Sequence, residues 1–424
     1  MQNSSSLDKP SNIGSYIKNC TCIICNSTDL MPFLNFGDLP LAGGFILESD
    51  LNSDKLYPMT ISFCRTCFEV QIQEIVPPSI LFTDYRYTSS TTKTLRNHFQ
   101  AYAEEMHERF LSPSSFVVEF GSNDGVLLTP FNKLNINALG VEPAKNIANI
   151  ARSRGCNVIN NFFNTSVAAQ IKSEYEPADL ILANNILAHI SDMHEPIKAI
   201  KILLKPDGVF VFEVHYLLDL LETYQYDMFY HEHLLHHSLG ALVNFFKLHD
   251  MEIFDVKRVP THCGSIRAYS QIRNSGIHPL SDNVSNFLKI EKEAGLYEES
   301  TFIKFSNDVL KKKDELITLV KKLKSEGKRI AAYGASGRAT IQLNFCNLTS
   351  TEVEYVIDAS SERIGRYIPG IHIPIVAADI LNTNPPDYLI IFAYNYLDEI
   401  LRKEKVYING GGKFIIPLPI PKII

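Results

Sequence analysis

The densest chemical stretch of the sequence is Tyr230-His231-Glu232-His233, with His236 and His237 just beyond. A neutral imidazole takes a proton near neutral pH, and a neighbouring tyrosine or glutamate can orient it, so a general acid/base cluster is one reading. A non-catalytic metal cluster is a second, because histidine and glutamate are good ligands. The His-Glu-x-x-His spacing of zinc proteases is excluded, since Leu235 stands where its second histidine belongs. A third reading is a hydrogen-bonded histidine surface with no chemistry.

Two further groups of residues carry chemistry. Of eight cysteines, Cys22 and Cys25 form one CxxC pair, and Cys64 and Cys67 form another. In a reducing compartment such pairs predict a tetrahedral zinc site, with four unligated buried thiols as the alternative. Cys20 competes as a ligand, but through the less usual CxC spacing. Four thiolates close the coordination sphere, so this zinc would be structural. The segment between the pairs is rich in turn residues and too short to bury much core, and a metal would supply the missing stability.

The third group is the run VVEFGSNDG at 117–125. An apolar strand enters a turn whose glycines, Gly121 and Gly125, let the backbone approach a ligand. Glu142, at the end of the next short strand, is placed to accept hydrogen bonds from ribose hydroxyls, a feature shared by NAD and S-adenosylmethionine (SAM) enzymes. Glu119 before the first glycine, and the lack of G-x-G-x-x-G, favour SAM. The expected cofactor contacts are Glu119, Gly121, Ser122, Asn123, Gly125, Glu142, Phe162 and Asn185.

The elements that must position these groups follow from the pattern. With 424 residues, two or three domains are expected. The fold class is α/β, divided into a zinc-binding module (1–80), a class I SAM-dependent methyltransferase domain with a Rossmann-like sheet (81–285) and a C-terminal Rossmann-like domain (286–424). Apolar periodicity predicts a helix over 94–110, and buried strands over 116–120, 179–189 and 204–214. A Lys- and Glu-rich stretch over 288–324 predicts a helical connector. RIAAYG, a turn at 334–337, and VEYVIDAS then open a second βαβ pattern ending at Asp358, and Tyr394 and Asn395 follow a further apolar strand. The net charge of −7 argues against general nucleic-acid binding. No apolar run is long enough to span a bilayer, and the polar N-terminus lacks the order of a signal peptide, so a cytoplasmic enzyme is expected.

Three blocks of motifs recur in order. The first is the CxxC…CxxC module with DLPLAGGF between its pairs. The second is EFGSNDG, ILAHI, YDMFYHEHL and THCGSIRAY; the third is AAYGASGRAT, IGRYIPGIHIPI and GGGKFIIPLP. Across residues 20–420 the chain resembles the sugar C-methyltransferases of deoxysugar biosynthesis. The resemblance implies methyl transfer from SAM to carbon 3 of a nucleotide-linked 4-keto-6-deoxy sugar. His233 is then the base, Tyr230 and Glu232 orient it or the substrate, and His189 and Tyr87 are donors to the carbon 4 oxygen, with Tyr85 in place of Tyr87 as the alternative. It also implies a C-terminal domain that grips the nucleotide diphosphate through backbone amides at a helix N-terminus. Arg338 and Arg363 are phosphate contacts on that view, or else members of salt bridges. The nucleotide (dTDP, GDP or CDP) stays open, and a monomer is expected. The sequence departs from the family at Glu213-Val214-His215-Tyr216, where Pro-Tyr commonly follows the glutamate, at His262-Cys263-Gly264, and at GASGRAT. These departures bear on the sugar more than on the reaction. Two other classes stay in view: an O- or N-methyltransferase acting on a sugar or small metabolite, and a non-catalytic zinc-bearing scaffold.

Overall fold

The computed structural model describes residues 13–81, 88–275 and 277–424. Tyr85 and Tyr87 lie outside the described residues.

The N-terminal module is an antiparallel sheet of β1 (Leu30–Pro40), β2 (Leu56–Cys64) and β3 (Val70–Ile72). Its CxxC pairs lie just before β1 and around the turn between β2 and β3, so closing that turn brings all four cysteines to one end of the sheet.

The helix expected over 94–110 is α1 (Lys93–Phe110), capped by the Thr92 side chain, which accepts from the Leu95 N–H. It leads into β4 (Phe116–Phe120), β5 (Asn137–Val141), β6 (Asn157–Ile159), β7 (Ala178–Asn184) and β8 (Leu204–His215). β4 is buried throughout, as a central parallel strand covered on both faces must be. β7 stops earlier than the apolar run suggests, because Asn185 takes a left-handed backbone (φ 54°) and residues 187–189 turn as a 3-10 helix.

β9 (Leu235–His236) leaves this domain and pairs with β3, so the histidine-rich segment is a strand of the zinc module's sheet. β10 (Met251–Val259) and β11 (Ser265–Ile272) return as an antiparallel hairpin. The resulting seven-stranded sheet has the order β10-β11-β8-β7-β4-β5-β6, with β4 to β8 mutually parallel and β11 antiparallel to β8. Strand order reverses between β4 and β7, which opens a crevice at their carboxyl ends.

The connector expected over 288–324 is two helices, α2 (Asp282–Glu293) and α3 (Glu299–Ser325). Gly295, at φ 73°, separates them, a conformation that ends a helix. α2 spans residue 285, where the sequence pattern predicts a domain boundary. It packs on the methyltransferase sheet, with the Asn283 amide donating to Asp255 and Glu291 accepting from the backbone of Leu239 and Gly240. The third unit starts at β12 (Ile330–Tyr333), which turns into α4 (Gly337–Phe345). Then come β13 (Val356–Ile357), β14 (Ile375–Val376), β15 (Tyr388–Ile391), β16 (Lys413–Ile416) and β17 (Lys422–Ile423). The order is β14-β13-β12-β15-β16-β17, parallel except for β17. Among the described residues no helix is long and apolar enough to cross a membrane.

Candidate active site

The four cysteines of the module converge as their spacing predicts. Their sulfurs lie within 4.8 Å of one another, with Cys22–Cys67 at 3.5 Å and Cys25–Cys64 at 3.6 Å. Zn–S bonds of about 2.3 Å give a tetrahedron with sulfur–sulfur edges of about 3.8 Å, so the donor set fits structural zinc. Cys20 is exposed and outside the cluster.

At the carboxyl end of β4, Gly121 has φ 64°, and a Cβ there would come within 2.9 Å of Ile186, so the glycine seals the turn against the loop after β7. Glu142 latches the turn from β5: its carboxylate accepts from the N–H groups of Asn123 (2.9 Å) and Ala144 (2.8 Å). Asn185 joins from the other side, its N–H donating to the Glu213 carbonyl at 2.8 Å. Glu119 is buried beneath, accepts from the Asn184 amide at 3.1 Å, and is pushed up to about 8 by burial, with Glu142 and Asp124 adding to the shift. Glu119 Oε2, Ser122 Oγ, Asp124 Oδ1 and Asn185 Oδ1 are buried oxygens without hydrogen-bond partners among the described residues. Such a set of oxygens suits a ligand carrying an ammonium and a sulfonium, and so fits SAM. Phe162, by contrast, is 55% exposed.

Beside this crevice the histidines assemble. His233 is buried, its Nδ1 lies 3.1 Å from the Met228 carbonyl, and its Nε2 lies 2.8 Å from the Tyr230 hydroxyl. A carbonyl only accepts, so Nδ1 carries the proton and Nε2 keeps a lone pair, to which Tyr230 donates. The ring of His189 lies 4.8 Å from that of His233, centroid to centroid. Burial drives His233 well below the usual histidine range, reinforced by the neighbouring imidazoles of His189, His215 and His236. Burial also brings His189 down to about 4.

The zinc module holds this segment in place. Beyond the β3–β9 pairing, the Ile72 N–H donates to the Leu234 carbonyl at 2.9 Å, and His231 Nε2 donates to the Pro58 carbonyl at 3.1 Å. The Glu232 carboxylate accepts from the Gly43 N–H at 3.1 Å, and His237 Nδ1 pairs with Glu69 at 3.1 Å. His231 and His237 therefore serve the structural role that was one of the three readings. Among the described residues the four cysteines alone form a group of three or more side chains close enough to share a metal, so the histidines are no metal cluster.

Two groups that sequence reasoning did not find complete the picture. His98 on α1 bridges both Glu213 oxygens at 3.0 and 2.9 Å, and Arg267 donates to the same carboxylate at 2.6 Å. Burial alone would raise Glu213, but His98 and Arg267 outweigh it and hold the carboxyl below its usual range. The other is Asp227. It takes Arg338 at 3.1 Å, Gln342 at 2.6 Å and the Tyr394 hydroxyl at 3.1 Å, and Arg338 also donates to Gln225. Arg338 is thereby neutralised inside the protein, and the salt-bridge alternative applies. Arg363 likewise pairs with Asp358 at 3.3 Å and donates to the Ala335 carbonyl at 3.0 Å, bracing the turn before α4. Neither the Glu213 group nor the Asp227 group is visible from spacing, because their partners are distant in sequence.

The chain is 33% identical over 405 residues to the C-methyltransferase NovU of Streptomyces niveus, covering 95% of this chain and 96% of that protein. It belongs to that C-methyltransferase family. Residues 260–419 match the family described as C-methyltransferase C-terminal domain, 95–255 a methyltransferase domain family and 22–82 a zinc binding domain family. A ubiquinone biosynthesis O-methyltransferase of Bartonella tribocorum is 27% identical over 94 residues, 22% of this chain and 38% of that protein. Among solved structures, the magnesium protoporphyrin IX methyltransferase of Synechocystis PCC 6803 with bound SAH aligns with 45% of this chain and 90% of that chain, at 12% identity and a TM-score of 0.35. The enzyme is thus a SAM-dependent C-methyltransferase with a zinc-binding N-terminal module.

Proposed function

We propose that this C-methyltransferase acts on a nucleotide-linked 4-keto-6-deoxy sugar and methylates carbon 3. The observation that carries the proposal is His233, a buried neutral imidazole whose Nδ1–H is occupied by a carbonyl and whose basic Nε2 accepts from the Tyr230 hydroxyl, a bond that the carbon 3 proton displaces. A carbonyl at carbon 4 makes the carbon 3 proton acidic; Nε2 takes that proton and the electron pair spreads onto the carbon 4 oxygen. Tyr230 orients Nε2, while Glu232 acts on the loop backbone through Gly43 rather than on His233. His189, beside His233, is the donor to the developing oxyanion, with Tyr87 as its partner. Bound SAM supplies an electrophilic methyl group on a sulfonium, which the nucleophilic carbon takes.

The third domain is assigned to the nucleotide. The start of α4 lies at the site, since a Cβ on Gly337 would come 3.8 Å from the Tyr230 ring and 3.1 Å from Ala42. With Arg338 and Arg363 engaged internally, backbone amides are left to meet the diphosphate. We place the enzyme in the cytoplasm, where four cysteines remain reduced for zinc, and expect a monomer.

Deuterium washout tests the reaction. In deuterated buffer the purified enzyme should exchange the carbon 3 proton of a nucleotide 4-keto-6-deoxy sugar, and His233→Ala should not. Methylation without loss of that proton would instead establish O- or N-transfer. A panel of thymidine, guanosine and cytidine diphosphate sugars assigns the nucleotide.

A further inference from the structure

We propose that His215 is a further substrate-contacting residue, holding an oxygen of the acceptor beside the carbon that His233 deprotonates. The proposal rests on the assignment of His233 as base to a carbonyl-bearing acceptor. His215 is the last residue of β8, and its position is fixed from behind: Glu213, two residues earlier on the same strand face, is gripped by His98 and Arg267. The His215 ring lies 4.9 Å from His233 and meets His262 edge-on at 5.2 Å. With His189 on the far side of His233, the four imidazoles form one continuous row.

His215 carries one of several buried ring nitrogens left without a partner among the described residues, and it sits directly beside the base. His233 has both nitrogens engaged, and His231 and His237 each anchor a backbone or a carboxylate. His215 Nε2 is buried, yet it has no hydrogen-bond partner among the described residues. Buried polar atoms in native proteins are almost always paired, so one left open in the wall of a reaction site is explained by a group that arrives with the substrate. Burial, then the neighbouring His262, His236 and His189 imidazoles and Arg338, hold the ring neutral. A neutral imidazole offers one N–H and one lone pair, so it can donate to a carbonyl oxygen or accept from a hydroxyl. An acceptor bearing both kinds of oxygen fits that pair.

The test uses full-length enzyme, SAM and thymidine, guanosine and cytidine diphosphate forms of 4-keto-6-deoxyglucose. His215→Phe keeps a flat ring without polar atoms; His215→Gln places an amide near the position of Nε2. The phenylalanine variant should raise KM for the sugar about tenfold and slow carbon 3 washout, as expected for one lost buried hydrogen bond. The glutamine variant should recover most of that loss, with SAM affinity by calorimetry and Tm unchanged in both. Unchanged KM and washout in His215→Phe would overturn the contact while leaving the reaction intact. A loss of SAM affinity or Tm that glutamine does not rescue would make His215 structural. Wild-type enzyme that neither turns over nor exchanges any of the three sugars would overturn the acceptor class, and the contact with it.

Discussion

The chain contains two mostly parallel α/β sheets, each with a glycine turn after its central strand, and the turns differ in what surrounds them. After β4, the turn is ringed by buried oxygens with no hydrogen-bond partner among the described residues, one each on Glu119, Ser122, Asp124 and Asn185. After β12, the corresponding turn leads into α4, whose Arg338 is consumed by Asp227, Gln225 and Tyr394, while Arg363 braces the turn from Asp358. Gly334, at φ 92°, is tight against Ala393 much as Gly121 is against Ile186. A glycine turn at a strand's carboxyl end is therefore a backbone solution common to both. The first turn, the proposed SAM site, keeps side-chain polar capacity open, whereas the second uses its side chains internally and leaves only the backbone amides proposed for the diphosphate.

The largest way to break this contrast is to remove what holds the histidine-rich segment, with the proposed base His233, beside the first sheet. Cys64→Ser should yield insoluble protein, because the module that pairs with β9 loses its metal and little core remains to replace it. Soluble, active Cys64→Ser enzyme would sink the structural-zinc assignment, and zinc analysis of wild-type protein after chelation should still find the metal. Next, His233→Ala should lower kcat by about a hundredfold to ten-thousandfold with SAM affinity nearly intact. Equal loss of both, measured by kinetics and calorimetry, would make His233 structural.

Arg338→Met sharpens the second half of the comparison. It strands Asp227 as a buried charge and should cost about 3–5 kcal/mol in denaturant unfolding. Adding Asp227→Asn should recover part of that loss; strict additivity would show that the pair is not coupled. The two glycines give a paired test of smaller size. Gly121→Val forces a left-handed backbone costing about 1–3 kcal/mol and displaces Ile186, so SAM affinity should fall. Gly334→Val should lower Tm by a similar route while SAM affinity holds. If both changed SAM affinity alike, the two turns would not differ as described.

The smallest effect is in pH. His189, His231 and His262 are each brought to about 4 by burial, whereas in the unfolded chain they titrate near 6.5. Between those values the unfolded state binds more protons, so stability falls as pH falls from about 6.5 toward 4 and is fully present above 6.5. Calorimetric Tm should show no contribution from these groups above pH 7 and a decline below 6.5; replacing His262 with Asn should flatten part of that decline.

Much of this was legible in local patterns. The four cysteines, the turn at 117–125 and the strands around it follow from spacing and periodicity, because a CxxC hairpin and a strand–turn–helix are set by neighbours in the chain. The pairing of histidine roles was not. Tyr230, His231, Glu232 and His233 stand in a row, yet His231 holds Pro58, Glu232 holds Gly43 and His233 turns its basic Nε2 to the Tyr230 hydroxyl. Asp227 sits inside YDMFYHEHL and His215 in the Glu213–Tyr216 departure, yet neither stretch says what the side chain meets. So the sequence alone determined the metal ligands, the cofactor turn and the family's modules, through contacts between residues close in the chain. The tertiary structure decided how each imidazole is held, which arginine is neutralised and which buried polar atoms are left without a partner among the described residues. Those outcomes depend on buried groups from three modules meeting, and no local spacing encodes that meeting.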